Sequence, residues 1–451
     1  MNTEDTIAAI CTGTGGAIAV IRISGTQALR IAGKVWEGGS SLEHNPRKLC
    51  AGHCSTGKAF RDSAMAVYMP APKSYTGEDV VELQCHGGGL VPASVLKKII
   101  ESGARHAEPG EFTFRAFMNE RMDLAQAEAV ADIINAQSSM AMEIAARQLA
   151  GSLSCNIREI RSKISSILAE NESRLDFSEE EIAFPEKKIA MEKLKEMECE
   201  IRSLYETGKD GVILREGVKV VIAGRPNSGK SSLLNRLLGF DRAIVTDLPG
   251  TTRDTIEERT SLRKIPVRLI DTAGIREADN IIENLGVERS IQTVKIANVV
   301  LWLLDPLSDV NEEIKFMEGH LRGKINVIAV WNKMDRLDNP GLLAKTQFPT
   351  AKISAITGAG IDEMLDIFEK LVWGHLHGEE ESENAVGARH AALLGIALKA
   401  IPEAIANLEG EKWELASINL REIISALGKI TGENIEPDIL GEIFSRFCIG
   451  K

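Results

Sequence analysis

The residues Gly224-Arg-Pro-Asn-Ser-Gly-Lys-Ser231 have the types and spacing of a complete phosphate-binding loop. Gly224 and Gly229 allow the peptide N–H groups to turn inward around an anion. A helix beginning near Lys230 would aim its positive end at the same charge. Lys230 would reach the terminal phosphates, and the Ser231 hydroxyl would take one place on an octahedral Mg2+. The expected contacts run from Asn227 and Ser228 through Gly229, Lys230, Ser231 and Ser232. A glycine-rich turn matching by accident is the alternative. The apolar run Val218 to Ala223 before the loop, the helix after it and further boxes downstream argue against that.

Those boxes occur in the order a nucleotide-binding unit requires. Val267 to Asp271 is a strand pattern ending in a carboxylate, followed by Thr272-Ala273-Gly274. A strand-end Asp271 suits an outer-shell Mg2+ partner, and Gly274 lets a backbone N–H approach the γ-phosphate. Thr251-Thr252, before Arg253-Asp254, is a candidate first switch, with Thr252 as the second hydroxyl on Mg2+, and Thr246-Asp247-Leu248-Pro249-Gly250 ahead of it join the expected nucleotide contacts. The run Val327 to Val330 leads into Asn332-Lys333-Met334-Asp335. Asp335 can accept two N–H bonds from a guanine edge, which adenine cannot supply; the wrong base would leave a carboxylate unpaired. Ser354-Ala355-Ile356 is the expected last base loop. In Ras-like GTPases a Gln after the Asp-x-x-Gly box orients the attacking water, but here that place is Ile275. Hydrolysis must recruit something else or be very slow.

Bulk composition bounds the rest. A chain of 451 residues is too long for one core, and about three domains are expected. A hydrophobic share of 44% suits a globular protein. The sequence reading finds no membrane-spanning run and no basic-then-apolar leader. Seven scattered cysteines suggest reduced thiols and a cytoplasmic setting. Cys50, His53 and Cys54 cluster, as do Cys85 and His86, but no second pair at ligand spacing completes a zinc site. With a net charge of −12 and only 4% aromatics, a stand-alone RNA grip is disfavoured; contact with RNA needs a local patch or a basic partner.

Along the chain, residues 1–118 mix short strands with Gly-rich turns, an α+β pattern. Residues 119–215 become helical, with Leu149, Leu153, Ile157, Ile160, Ile164 and Ile167 as one stripe along a long helix, read as core. Residues 216–374 form the α/β nucleotide unit, whose apolar strands predict a mostly parallel sheet. Helical patterning resumes over 375–451 with Leu420, Ile423, Ile424 and Leu427. Helices on both sides suggest an α/β unit inserted into a helical domain. Phe444 and Phe447 should dock the C-terminal segment and deliver Cys448 and Lys451 to a defined place. A free Cys is more often a small buried hydrophobe.

Further motifs lie outside the nucleotide boxes: Val20 to Gly25, Tyr75 to Asp79 with Glu82, His86 to Gly88, Pro109 to Phe112 with Arg115 to Phe117, and Asp123 to Ala129. They continue through Leu214 to Gly217, Gly250 to Asp254 and Phe447 to Lys451. On these motifs the chain resembles the family of tRNA modification GTPases called MnmE, or TrmE, over essentially the whole length. The resemblance implies a multidomain fold: an α+β N-terminal folate-binding domain, an all-α helical domain and an inserted Ras-like P-loop G domain. It also implies a homodimer acting with the flavoprotein MnmG to add an aminomethyl-type group to C5 of the wobble uridine of certain tRNAs. A 5-formyltetrahydrofolate or related one-carbon folate would be held by Arg22, Glu82, Arg121 and Lys451; Arg121 stands where other members can carry Lys. The resemblance assigns K+ to Asn227, Thr246, Leu248 and Thr251, where it would replace an arginine finger, and Glu283 to the attacking water. Read from its surroundings alone, Glu283 is a solvated acid in a switch loop. Cys448 matches the family's cysteine, with its chemical role open. The competing class is a ribosome-assembly or RNA-chaperone switch on a related G domain; acidic charge and the N-terminal motifs weigh against it.

Overall fold

The computed structural model describes residues 5–13, 15–39, 41–57, 60–136, 138–176, 187–225, 227–239, 257–263, 265–271, 297–308, 310–311, 314–315, 318–319, 326–337, 343–373, 386–445 and 447–451. Two compact units emerge: residues 1–134, 148–185 and 403–451 form one, and residues 135–147 and 186–402 the other.

The first unit opens on strands β1 (Ile7–Ile10) and β2 (Ile18–Ser24), helix α1 (Ala28–Ala32), and strands β3 (Trp36–Gly38), β4 (Cys50–Gly57), β5 (Phe60–Met69) and β6 (Val80–His86). Helix α2 (Leu90–Glu101), strand β7 (Arg105–His106) and helices α3 (Glu111–Met118) and α4 (Leu124–Asn135) follow. The seven strands pair in the order β3-β4-β5-β6-β2-β1-β7. Along β2 the side chains alternate: Ala19, Ile21 and Ile23 are buried, while Val20 and Arg22 are half-buried on the other face. Buried Val95, Leu96 and Ile99 of α2 share a core with Ile21, Ile23, Val81 and Leu83 of the sheet.

Helices α5 (Ser139–Leu149) and α6 (Ser152–Asp176) divide the apolar stripe seen in the sequence. The single long helix expected from Leu149 onward is interrupted, because Gly151 takes a left-handed φ of +93° between them. From Leu153 to Ile167 the stripe is buried.

The second unit holds α7 (Lys187–Glu216) and the nucleotide-type fold: β8 (Val218–Gly224), α8 (Lys230–Leu238), β9 (Glu257–Leu262), β10 (Ile265–Asp271), β11 (Val299–Leu304), β12 (Asn326–Trp331), β13 (Thr350–Lys352) and α9 (Ile361–Trp373). The sheet order is β13-β12-β11-β8-β10-β9, parallel throughout except for the β9–β10 hairpin. Every residue of β11 is buried, as two-sided coverage demands. Helix α9 buries Ile361, Met364, Leu365, Phe368 and Val372 at steps of three and four, and Asp362 and Glu363 suit its positive end.

Helix α10 (Ala388–Glu409) carries the boundary between the units at Pro402. It is also long and apolar enough to cross a membrane by length and composition, with mean hydropathy 1.5, which the sequence reading did not single out. Its buried residues Leu394, Ala397, Ile401, Ala404 and Leu408 follow helical spacing, the pattern of a core stripe. Within the first unit, α11 (Trp413–Thr431) packs along α6, where Asn171 Nδ2 donates to Trp413 O and Ser417 Oγ, both at 2.7 Å. Helix α12 (Pro437–Ser445) ends beside α3.

Candidate functional site

Strand β8 carries the chain into the phosphate loop at the carboxyl edge of the parallel sheet, where α/β proteins bind ligands. Asn227 adopts φ +65° and Gly229 φ +99° as the chain enters α8. At Gly229 even a methyl group is excluded, since its Cβ would lie 2.1 Å from Asn332 Nδ2. Lys230 Nζ folds back over the loop and donates to Gly224 O at 2.9 Å and Arg225 O at 2.8 Å, which are positions that phosphate oxygens would compete for. Ser231 and Ser232 lie in the first turn of α8. Ser228 is buried, and its hydroxyl finds no hydrogen-bond partner among the described residues.

Asn332 joins the phosphate loop to the base loop. Its buried side chain donates from Nδ2 to Ser228 O at 2.8 Å and accepts at Oδ1 from Ala355 N at 2.9 Å. Sequence reasoning placed Asn332 in a base box but did not foresee this tie. Lys333, at φ +64°, pairs with Asp305 Oδ2 at 2.6 Å. That turn leaves Asp335 exposed in the 3-10 segment Met334–Arg336, free of the sheet and available to a base edge. Ser354 Oγ accepts from Thr357 N at 3.1 Å, which shapes the last base loop, and Ile356 stands at its exposed tip. Arg236, which the sequence reading did not single out, reaches the Ala355 and Ile356 carbonyls from α8. The structure thus brings together Asn227 to Ser232, Asn332 to Asp335 and Ser354 to Ile356. Asp271 closes β10. Thr246 to Thr252, Thr272 to Gly274 and Glu283 lie outside the described residues.

A second constellation forms in the first unit. Antiparallel pairing sets Arg22 of β2 directly opposite Glu82 of β6, and Arg22 Nε donates to Glu82 Oε1 at 2.8 Å. The Arg22 guanidinium also lies 5.0 Å from the Tyr75 ring centre and 5.5 Å from that of Phe112. Neither aromatic was assigned a role from sequence, although both fall in the motifs noted above. Phe112 N donates to Lys451 O at 3.2 Å, and Gly110 N to Cys448 O at 3.4 Å, so the start of α3 seats the C-terminal segment. Phe444 anchors it, edge-on to Phe114 at 5.4 Å. Gly450 completes the fit: a Cβ there would come within 2.5 Å of Ile10 O. Burial pushes the nearby Cys11 thiol up, against the charges of Arg22 and Lys451, so it is neutral at ordinary pH. Cys448 itself is exposed rather than a buried hydrophobe. Arg121 donates from Nε to Ser74 O at 3.2 Å, beside Tyr75 in the chain.

Beneath this constellation, α3 is fixed by a buried ionic network. Arg115 and Glu111 are fully buried; Arg115 pairs with Asp5 at 2.7 Å and Glu78 at 3.1 Å, and Glu111 pairs with Arg105. The Arg105 hydrogen bond holds the Asp5 carboxyl below its ordinary value despite some burial. On the same sheet, a cavity of about 910 Å3 walled by His53, Arg61, Gln84 and His86 contains none of the sequence-predicted site residues. All seven cysteines are free, and no group of three metal-ligating side chains occurs among the described residues.

The comparisons agree with this geometry. Residues 6–121 match the family described as GTP-binding protein TrmE N-terminus, and residues 124–448 match the MnmE helical domain. The tRNA modification GTPase MnmE of Clostridioides difficile (strain 630) is 42% identical over 458 residues, covering 99% of each chain. That of Geobacillus thermodenitrificans (strain NG80-2) is 42% identical over 470 residues, covering 100% of each. That of Enterococcus faecalis (strain ATCC 700802 / V583) is 41% identical over 460 residues, covering 99% of this chain and 98% of its own. With a phosphate loop and a guanine-type base box tied by one buried asparagine, and likeness along its full length, the chain belongs to the MnmE family of tRNA modification GTPases.

Proposed function

We propose that this GTP hydrolase takes part in modifying the wobble uridine of certain tRNAs, adding a carboxymethylaminomethyl or aminomethyl group at C5 together with the flavoprotein MnmG. The observation that carries the reading is the pairing of Asn332 with both Ser228 and Ala355, because it ties the phosphate loop to the base loop in a chain 42% identical along its length to a tRNA modification GTPase. Lys230 draws the terminal phosphates, Ser231 offers a hydroxyl to Mg2+, and Asp335 selects guanine. The donors present fit such a group, since the loop closes tightly around Gly229 and its lysine is held over the loop by the Gly224 and Arg225 carbonyls.

For hydrolysis, Asn227 offers a side-chain amide oxygen to K+ at the left-handed turn of the loop, with Thr246, Leu248 and Thr251 as its companions. A monovalent cation at that place would neutralise charge developing between the β- and γ-phosphates. Glu283 would orient the attacking water where Ile275 has no polar atom. Apposition of two copies of the nucleotide face, within a homodimer, would enclose both.

Arg22, Glu82 and Lys451 form the core of a tetrahydrofolate site, with Arg121 at its margin. The Arg22–Glu82 pair offers a donor fork and a carboxylate to a heterocycle with amide and amine edges, and Tyr75 and Phe112 supply apolar faces. Cys448 is the candidate for covalent chemistry, and its exposure leaves it accessible. Mass spectrometry of wobble nucleosides tests the whole reading. Purified chain, MnmG, GTP, a one-carbon folate and either ammonium or glycine as the nitrogen source should convert unmodified tRNA, and a deletion strain should lack the product. A deletion strain that retained the modified uridine would overturn it.

A further inference from the structure

The base loop is held from a direction that neither the phosphate loop nor the base box explains. Arg236 lies on α8, the helix that starts at the phosphate loop, and is half-buried. Its Nε donates to Ala355 O at 3.2 Å, and its Nη2 donates to Ile356 O. A Cβ at Gly358 would sit 3.6 Å from the guanidinium carbon, an ordinary contact distance, so the guanidinium passes close beside the loop. One rigid fork therefore takes two consecutive carbonyls, a geometry that lysine cannot reproduce. Apolar anchoring holds the start of the loop, where Ile353 and Ala355 are buried, and stops at Ile356, which is 62% exposed.

We infer that Arg236 is a positioning residue for guanine recognition, clamping the base loop to the phosphate-binding helix. Asn332 takes the N–H side of Ala355 while Arg236 takes its carbonyl side. The Ala355 peptide is thereby gripped at both ends before a base arrives, which removes an ordering cost from binding. Because α8 carries Lys230 and Ser231 at its other end, the base and phosphate halves of the pocket are set on one rigid element. The role concerns how tightly the purine is held and leaves the hydrolytic step alone.

The inference rests on the guanine-nucleotide site, and the full chain tests it with fluorescent GDP and IDP. In Arg236→Ala and Arg236→Met, GDP affinity should fall about tenfold, mainly through faster dissociation. IDP affinity should fall by the same factor, since the lost order affects the loop and not the Asp335 contact. Turnover at saturating GTP and the thermal midpoint should stay near wild type, and Arg236→Lys should recover part of the affinity. Unchanged GDP affinity in Ala and Met variants that fold overturns the clamp, as does a fall in turnover matching the fall in affinity. If those variants fail to fold, Arg236→Lys decides: full wild-type affinity counts against the fork and a partial loss supports it. Absence of GDP binding by the wild type would remove the nucleotide site itself, and the clamp with it.

Discussion

At the scale of single residues, the nucleotide site depends on a few side chains whose alternatives leave buried groups unsatisfied. Asn332 is the clearest case. Asn332→Ala would strand Ser228 O and Ala355 N, each losing a bond of 2.8–2.9 Å. At roughly 1–3 kcal/mol per buried group, GDP affinity should drop by about 30-fold or more in a titration. An effect under threefold would remove Asn332 from the tie. Asp335→Asn should relax selectivity toward xanthine nucleotides, because an amide presents a donor where guanine also donates. Competition between GDP and XDP measures this, and an unaltered guanine preference would take Asp335 out of the base site. These residues were legible from their spacing alone. Arg236 was not: its partners are main-chain carbonyls more than a hundred positions away, and nothing in a local motif marks such a bond.

Among elements, α3 links the N-terminal sheet to the C-terminal segment. Its ionic network has a stated pH dependence. Asp5 is held below its ordinary value by Arg105, so its contribution is complete above the unfolded carboxylate value of about 3.9 and is lost as pH falls through the lower folded one. Asp5→Asn should therefore cost about 1–3 kcal/mol at pH 7 and less at pH 3, read by urea unfolding at both. An equal cost at both pH values would contradict the assignment. Gly450→Ala tests the seat of the segment, where the added carbon meets Ile10 O and a left-handed backbone. Tetrahydrofolate binding by calorimetry should weaken sharply while GTP turnover holds; unaffected binding would separate the segment from that site. The periodicities of α6 and α11 were legible because core contacts recur at helical spacing. The break at Gly151 was not, since the stripe continues across it and only the backbone angle reveals the turn. The facing of Arg22 and Glu82 depends on strand register, which joins residues 60 positions apart and is set by the sheet rather than by either local pattern.

The whole molecule combines a nucleotide unit with a helical and sheet-bearing unit, and their joint action has to be tested on the intact chain. Ile275 stands where Ras-like enzymes place a water-orienting glutamine, so hydrolysis must draw on another source of charge stabilisation. K+ held at Asn227, with Glu283 directing water, is the source proposed above. GTP turnover by the full-length protein, in K+ and in Na+ at equal ionic strength, tests this most directly. The rate should be at least about tenfold higher in K+, with GDP affinity alike in the two salts and the advantage abolished by Asn227→Ala. Equal turnover in both salts would contradict it.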